Sequence, residues 1–195
     1  IKLKGEIDNF AKSELLFELV SERNFKGISD KLEEFSKRAK ELEEESCEKS
    51  VNEISEDIKE LQKLFQKISA ETFKILKNSN KSISISLIDG KFISGKIEKL
   101  SKSKLVLDKN KKEISFEQIK GHSLGRYVPD KLMNGETAYY LGMLIIYENK
   151  LLVEEELDEN KKKIKDERKT EAKKYLNKAI SKKYSKASSL LEKIQ

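Results

Sequence analysis

The residues whose spacing most resembles a reactive site are Gly121-His122-Ser123-Leu124-Gly125, a match to G-x-S-x-G. In α/β-type serine hydrolases this pattern puts the serine on a strand-to-helix turn, with an acid and then a histidine later in the chain. Here His122 is the only histidine and precedes Ser123, and no strand–helix alternation surrounds the motif. A serine hydrolase is therefore the least favoured of three functions, and we expect His122 to Tyr127 to form a strand.

Other catalytic and metal-binding chemistry has little support. Cys47 lies among glutamates, which disfavour a reactive thiolate, and a single cysteine makes no internal disulfide. One histidine and one distant cysteine do not make a zinc site. The carboxylates of Glu154–Glu156 and Asp158–Glu159 are expected on the solvated face of a helix. We predict no catalytic residues, no metal and no cofactor.

Basic side chains concentrate in residues 81–129, which hold eleven lysines and arginines against five acidic residues. Small β-barrels bind single-stranded nucleic acid by stacking bases on aromatic side chains beside a basic groove. Lysines at hairpin tips and sheet edges are also typical of a solvated surface, which is the preferred interpretation. The candidate nucleic-acid contacts, kept as an alternative function, are Lys96, Lys99, Lys102, Lys104, Lys111, Arg126 and Tyr127.

Three helices are predicted before this basic segment, at about 6–22, 28–46 and 51–77, because apolar residues recur there every three or four positions. Ser50 with Glu53 is a capping-box pattern that places the start of the third helix. This helix has a 3.5-residue repeat, for which a hairpin with the preceding helix is favoured over a dimeric coiled coil. The repeat positions, also the candidates for self-association, are Val51, Ile54, Ile58, Leu61, Phe65 and Ile68.

Strands are predicted next, because isoleucine and leucine alternate with serine from Ser82 to Leu87. Asp89-Gly90 then supplies a tight turn, since glycine tolerates the positive φ of hairpin turns. We expect Phe92 and Phe116 in the core of the small domain that these strands build.

The stretch ISISLIDGKFISGKIEKL resembles the opening of SH3-like and Sm-like small β-barrels, whose second strand a glycine such as Gly95 allows to bend. Phe116-Glu117-Gln118-Ile119 is similar to the short helical turn before the last strand of those barrels. The resemblance implies five strands that close into a barrel, with His122 to Tyr127 as the last.

The remaining residues return to helix. Thr137 to Tyr147 are apolar on most sides, which predicts a buried central helix, and Gly142 indicates close approach by a neighbouring helix. Leu151, Leu152 and Leu157 are expected to continue into an antiparallel partner. The basic sequence from Asn160 predicts one or two surface helices.

The order of helices, small barrel and a helix pair containing YYLGMLIIYEN is similar to regions outside the kinase domain of planctomycete-type serine/threonine kinases and related envelope proteins. In those proteins the barrel interrupts tetratricopeptide-like helices. The resemblance implies a sensor or scaffold region. It implies no kinase activity, because the HRD-type catalytic loop, the DFG motif and the glycine-rich phosphate loop are absent from the sequence.

These patterns predict an α+β chain of three regions: helices in 1–80, a barrel in 81–128 and helices in 129–195. The predicted function is a non-catalytic protein-interaction or scaffold module. No stretch approaches the roughly 18 apolar residues of a membrane-spanning helix. A start at Ile1, without Met, is typical of a mature form or a fragment. The compartment is therefore left open between the cytoplasm and the extracytoplasmic part of a membrane-anchored protein.

Overall fold

The computed structural model describes residues 2–11, 13–109, 111–152 and 158–194. The fold is of the mixed α+β class, as predicted, with an antiparallel sheet between two sets of helices. The described elements are α1 (Lys2–Ala11), α2 (Glu14–Ser21), α3 (Phe25–Glu41), α4 (Glu45–Asn78), β1 (Ser82–Ser86), β2 (Phe92–Leu100), β3 (Lys104–Leu107), β4 (Glu113–Ser115), a 3-10 turn (Phe116–Gln118), α5 (Gly121–Gly125), a second 3-10 turn (Asp130–Leu132), α6 (Gly135–Glu148), α7 (Glu159–Ser181) and α8 (Lys186–Glu192).

The first predicted helix, 6–22, is two helices in the structure. Ser13 begins α2 as its N-cap, because its Oγ accepts a hydrogen bond from the Leu16 N–H at 3.2 Å. The same hydroxyl donates to the Phe10 carbonyl oxygen at the end of α1. The apolar period continues across this break, which is why the sequence pattern alone did not reveal it.

The predicted boundaries of the next two helices are also wrong. The second helix ends at Glu41 and not at 46, because Glu43 has φ +53° and so leaves the helical conformation. The third begins at Glu45, and Ser50 is not its cap. The Ser50 hydroxyl instead donates to the Ser46 carbonyl oxygen within the helix, at 3.1 Å.

The 34-residue helix α4 lies at the centre of the N-terminal half, where α1 and α3 pack along it. Its 3.5-residue repeat is turned into the core, with Ile54 half-buried and the other five positions buried. The favoured hairpin of α3 with α4 is therefore present. A dimer through the same positions would require this packing to open.

The strands form a meander in the order β1-β2-β3-β4. The predicted Asp89-Gly90 turn is present, with Gly90 at φ +83°. Gly95 is required by close contact, because a Cβ there would overlap the Asp108 carboxylate. That carboxylate accepts a hydrogen bond from the Lys96 N–H at 2.9 Å, which ties the start of the β3–β4 loop to β2.

The sheet does not close into a barrel, so the predicted fifth strand is wrong. The residues expected to form it, from His122 onward, lie in α5 and the turn that follows it. In place of a fifth strand, a single antiparallel β-bridge joins Ile119 to Leu87, the residue that follows β1. The helical turn expected just before is present at Phe116–Gln118.

The two phenylalanines expected in the core behave differently. Phe116 is buried against Phe73, with ring centroids 5.3 Å apart. Phe92 is 64% exposed, which corrects its prediction. The register explains this, because Phe92 lies opposite Ser86 and therefore shares the outward face of the sheet with the serines.

In the C-terminal half, α6 is buried on nearly all sides, as predicted. Helix α7 packs antiparallel to it, and a Cβ on Gly142 would lie 3.1 Å from the Leu176 side chain. Asp158 begins α7 as its N-cap, accepting from the Lys161 N–H at 2.9 Å. The predictions for Glu154–Glu156 and Leu157 fall outside the described residues. Helices in the described ranges do not combine the length and apolar content needed to cross a bilayer.

Candidate functional site: the two edges of the sheet

The outer side of β1, called here the closed edge, has its backbone groups occupied by the segment that follows the sheet. The Ser84 N–H donates to the Tyr127 Oη at 2.7 Å, and this hydroxyl donates to the Ser84 carbonyl oxygen at 3.0 Å. The Ser86 N–H donates to the Ser123 Oγ at 2.8 Å, and the Lys120 N–H donates to the Ser86 carbonyl oxygen at 2.9 Å. One stretch, 120–127, therefore stands in for a neighbouring strand.

A buried ion pair holds that stretch in place. The Glu148 carboxylate accepts hydrogen bonds from the Gly121 N–H at 2.9 and 2.8 Å and from the Arg23 guanidinium. Arg23 also donates to the Ile119 carbonyl oxygen at 3.1 Å, and its guanidinium carbon lies 4.9 Å from the centre of the Phe65 ring. The two charged side chains are 2% and 1% exposed. Their mutual pairing and these hydrogen bonds compensate part of the cost of burying both charges, while the Arg23 Nε has no hydrogen-bond partner among the described residues.

The G-x-S-x-G motif lies inside this structural arrangement. Ser123 is fully buried and its hydroxyl accepts from a backbone N–H, while His122 precedes it on a one-turn helix. This is not the strand-to-helix turn that a nucleophile elbow requires. The geometry of the motif therefore supports edge protection better than nucleophilic catalysis.

His122 is 4% exposed, and its Nδ1 has no hydrogen-bond partner among the described residues. Burial lowers the pKa of this imidazole to about 4, and the positive charges of Arg168, Arg126 and Lys120 add to the effect. The side chain is therefore neutral near pH 7, which is the form that its apolar and cationic surroundings favour.

Cys47 is buried, and its thiol donates to the Glu44 carboxylate at 2.8 Å. This hydrogen bond, together with burial, raises the pKa of the thiol, so a reactive thiolate is disfavoured. In the ranges that the structure describes, histidine, cysteine and carboxylate side chains do not gather into a group able to hold a metal ion.

The structure separates the predicted nucleic-acid contacts. Lys96, Lys99 and Lys104 share the outward face of the sheet, because each lies opposite a residue that is next in sequence to an inward-facing one, namely Ile83, Leu105 or Ile114. Lys104 pairs with Glu113 at 2.9 Å. Lys102 is exposed in the turn before β3.

The other three lie elsewhere. Lys111, in the loop before β4, pairs with Glu98 at 2.8 Å. Tyr127 is half-buried with its hydroxyl bound to β1. The charge of Arg126 acts on Tyr175 of α7 and on His122, which places it on the helical side of the closed edge. These residues therefore do not form one continuous surface.

The outer side of β4, called here the open edge, has no neighbouring strand in the described part of the sheet. It borders a cleft of about 470 Å³ whose far wall is the C-terminal end of α2. This volume is in the range of about 300–1,000 Å³ found for ligand sites. The lining residues are Glu22, Arg23, Ile88, Lys104, Glu113, Ser115, Glu117 and Gln118.

Three features of this region were not predicted from the sequence: the open edge, the exposed ring of Phe92 and the Arg23–Glu148 pair. A signal existed for Phe92, because strict alternation in β2 places Ile93 and Ile97 inward and Phe92 outward. No local signal exists for the ion pair, whose members are 125 positions apart.

No family model, curated protein or solved structure was found to match this chain.

Proposed function

We propose that the chain is a non-catalytic protein-interaction module that binds an extended segment of a partner protein by strand addition to the open edge. Strand addition uses unpaired backbone groups of an edge strand for affinity and side-chain pockets for selectivity. The observation that carries the proposal is the contrast between the two edges. One is occupied by hydrogen bonds from 120–127, and the other borders a cleft.

The register supports the availability of this edge. The Phe116 N–H donates to the Ser103 carbonyl oxygen, so Leu105 and Ile114, two positions further on, are the next hydrogen-bonded pair. The backbone groups of Glu113 and Ser115 therefore point away from β3. The Ser115 N–H is occupied by the Gln118 Oε1 at 2.9 Å. The Ser115 carbonyl oxygen, at the N-cap of the 3-10 turn, accepts the first hydrogen bond of that turn. The N–H and the carbonyl oxygen of Glu113 are left for an added strand.

The surrounding scaffold supports the same proposal. A binding edge needs a rigid support, and the Arg23–Glu148 pair fixes the end of α2 that forms the far wall of the cleft. The SH3-like or Sm-like class stays part of the proposal. The meander, the 3-10 turn and the Leu87–Ile119 bridge favour that class, although the sheet is open. The tetratricopeptide-like class of the α6–α7 hairpin likewise stays a proposal, favoured by the close approach at Gly142.

We propose a partner protein and not self-association through α4. The repeat side chains on that helix are used in the packing of the chain itself, whereas the open edge is accessible without rearrangement.

The test is selection of a phage-displayed library of random 12-residue peptides on the full chain. Binding of the enriched peptides is then measured by fluorescence anisotropy. Glu113→Pro removes the outward N–H and is tolerated by an edge strand, because that N–H does not pair with β3. We expect it to weaken binding about tenfold or more, consistent with loss of a backbone hydrogen bond and obstruction of the added strand. The matched control is Glu113→Ala, which removes the same carboxylate and keeps the N–H.

Two results would contradict the proposal. In one, enriched peptides bind Glu113→Pro as well as the unaltered chain. In the other, Glu113→Ala loses as much affinity as Glu113→Pro, which would assign the effect to the carboxylate and not to the backbone.

A further inference from the structure

We propose that the outward face of β1 and β2 binds single-stranded nucleic acid, with Phe92 as the side chain on which a base stacks. This surface differs from the open edge, because it lies on the face of β1 and β2, whereas the open edge is the outer side of β4. The inference therefore does not rest on the peptide site.

The first observation is the exposure of Phe92. It is 64% exposed, more than Leu42, Ile164 or Leu15, the other large apolar side chains in the exposed class among the described residues. An aromatic ring held on a strand has few conformations to lose, and its face is available for stacking.

The second observation is the open surroundings of this ring. Ser86 lies directly opposite Phe92 on β1, and Ser94 lies two residues along β2 on the same face. Ser84 is opposite Ser94. These short side chains leave space over the sheet beside the ring, and their hydroxyls can donate hydrogen bonds to bases or phosphates.

The third observation is charge. Residues 81–115 contain nine lysines and four acidic residues. Lys96 lies on the face of Phe92, four residues along β2, and Lys99 continues that face beyond the bulge. Neither lysine has an ion-pair partner in the part of the chain that the structure describes. At the other end of β2, the charge of Lys112 acts on Asp89, which places the basic β3–β4 loop near the β1–β2 turn.

A polyanion with stackable bases fits this surface better than an acidic protein does. Lysines alone would attract either one, but an isolated exposed ring between small polar side chains offers little apolar area to a protein interface. Stacking of one base on an aromatic side chain and phosphate contacts by lysines are the usual combination in single-strand binding.

The test uses fluorescein-labelled 12-nucleotide oligo(U) and oligo(dT), titrated with the full chain at low and near-physiological salt. We expect binding that weakens steeply with salt. Phe92→Ala should weaken it by about 5- to 150-fold, the range for loss of one base–aromatic stack. Lys96→Ser with Lys99→Ser should weaken binding and reduce the salt slope by about 1.4, because each phosphate contact to a single strand contributes about 0.7.

The controls come from α7, away from the sheet. Ile164→Ala removes a side chain of similar exposure, and Lys162→Ser with Lys163→Ser removes two exposed charges. We expect each to change affinity less than twofold, apart from the general effect of lower net charge.

Direct evidence for stacking comes from Phe92→Trp, because the chain contains no tryptophan and this variant has a single reporter. Quenching of its emission by oligonucleotide, with retained affinity, would support the inference. Three results would overturn it: no binding at low salt, binding that Phe92→Ala leaves unchanged, or equal competition by poly-glutamate, which carries charge without bases. None of these results depends on whether peptides bind at Glu113, so the two proposals fail separately.

Discussion

The two edges of the sheet are formed by the outer strands of one meander, β1 and β4, but their outward backbone groups are satisfied to different extents. At β1, Tyr127 and Ser123 occupy the outward backbone groups of Ser84 and Ser86. At β4, the Ser115 N–H is bound by Gln118 and the Ser115 carbonyl oxygen is used by the 3-10 turn, whereas the backbone groups of Glu113 have no partner among the described residues. Both strands face the same solvent, so the difference lies in what the chain places beside them.

The comparison shows two ways of preventing unwanted strand pairing. The closed edge is covered by a segment that depends on a buried ion pair far away in sequence. The open edge is limited by its length of three residues and by the charged pair Lys104–Glu113. Short, charged edges resist aggregation and still accept a matching partner. The cover at β1 thus stabilises the fold, whereas the restraint at β4 leaves that edge available for the strand addition proposed above.

The largest expected effect is loss of the anchor of the closed edge. Arg23→Met or Glu148→Gln should lower the free energy of unfolding by about 3–5 kcal/mol, because each leaves a buried group without its partner. Urea denaturation measures this. Arg38→Met is the control, since the Arg38–Glu6 pair is about one-third exposed, is screened by solvent and should contribute much less to stability. Similar losses in all three variants would show that burial does not distinguish the two pairs.

The second largest effect is expected from acid, which should lower the free energy of unfolding through His122, a residue in the segment that covers β1. The pKa of His122 is lowered from 6.5 to about 4 in the folded chain, so the unfolded chain takes up the proton first as the pH falls. Stability is therefore complete above about pH 6.5 and is lost as the pH falls toward 4, by up to roughly 3 kcal/mol. Urea denaturation at pH 7 and pH 4.5 on the unaltered chain and His122→Gln separates this contribution from that of the carboxylates. An identical pH dependence in the two proteins would remove His122 from the explanation.

Smaller effects follow from the side chains that cover β1. Ser123→Ala and Tyr127→Phe should each cost about 1–2 kcal/mol, because they leave backbone groups of the closed edge without partners. Amide hydrogen exchange should accelerate at Ser86 in the first variant and at Ser84 in the second. Ser94→Ala, on the outward face, is the control and should change neither rate.

The smallest effect is expected at the open edge. Gln118→Ala frees the Ser115 N–H, which is already near solvent, and should change the free energy of unfolding by less than about 1 kcal/mol. Exchange of the Ser115 amide should nevertheless accelerate. In the unaltered chain the Glu113 amide should exchange faster than those of Ser84 and Ser86. Slower exchange at Glu113 would show that the edge described as open is protected.

Sequence patterns predicted the parts of this fold that local interactions build. The serine alternation and the Asp89-Gly90 turn define the β1–β2 hairpin, and the apolar period of α4 defines its buried face. The alternation also held the information that Phe92 lies outward, but only once the register of β2 was fixed. Helix ends were less accessible, because a single residue such as Glu43 in a left-handed conformation decides them.

The candidate sites were harder to predict, because distant residues create them. The composition of Gly121–Gly125, with two glycines and no β-branched residue, is compatible with a helix, a turn or a strand. The Glu148 carboxylate, which accepts from the Gly121 N–H, favours the helix. Whether a sheet edge is open depends on which distant segment packs beside it, and hydrophobic periodicity carries no information about that packing. The sequence shows the basic region, but the division of its lysines and Arg126 among a sheet face, two ion pairs and the helical side is visible only in the three-dimensional structure.

The cover of β1 also has a consequence for synthesis of the protein. Tyr127 follows Ser84 by 43 residues, so a ribosome has made the whole of β1 well before it makes the side chain that occupies its outer backbone groups. At a translation rate of about 5–20 residues per second, this interval lasts about 2–9 s. During that time the nascent chain presents an uncovered strand, and crowding on a polysome brings identical strands near one another.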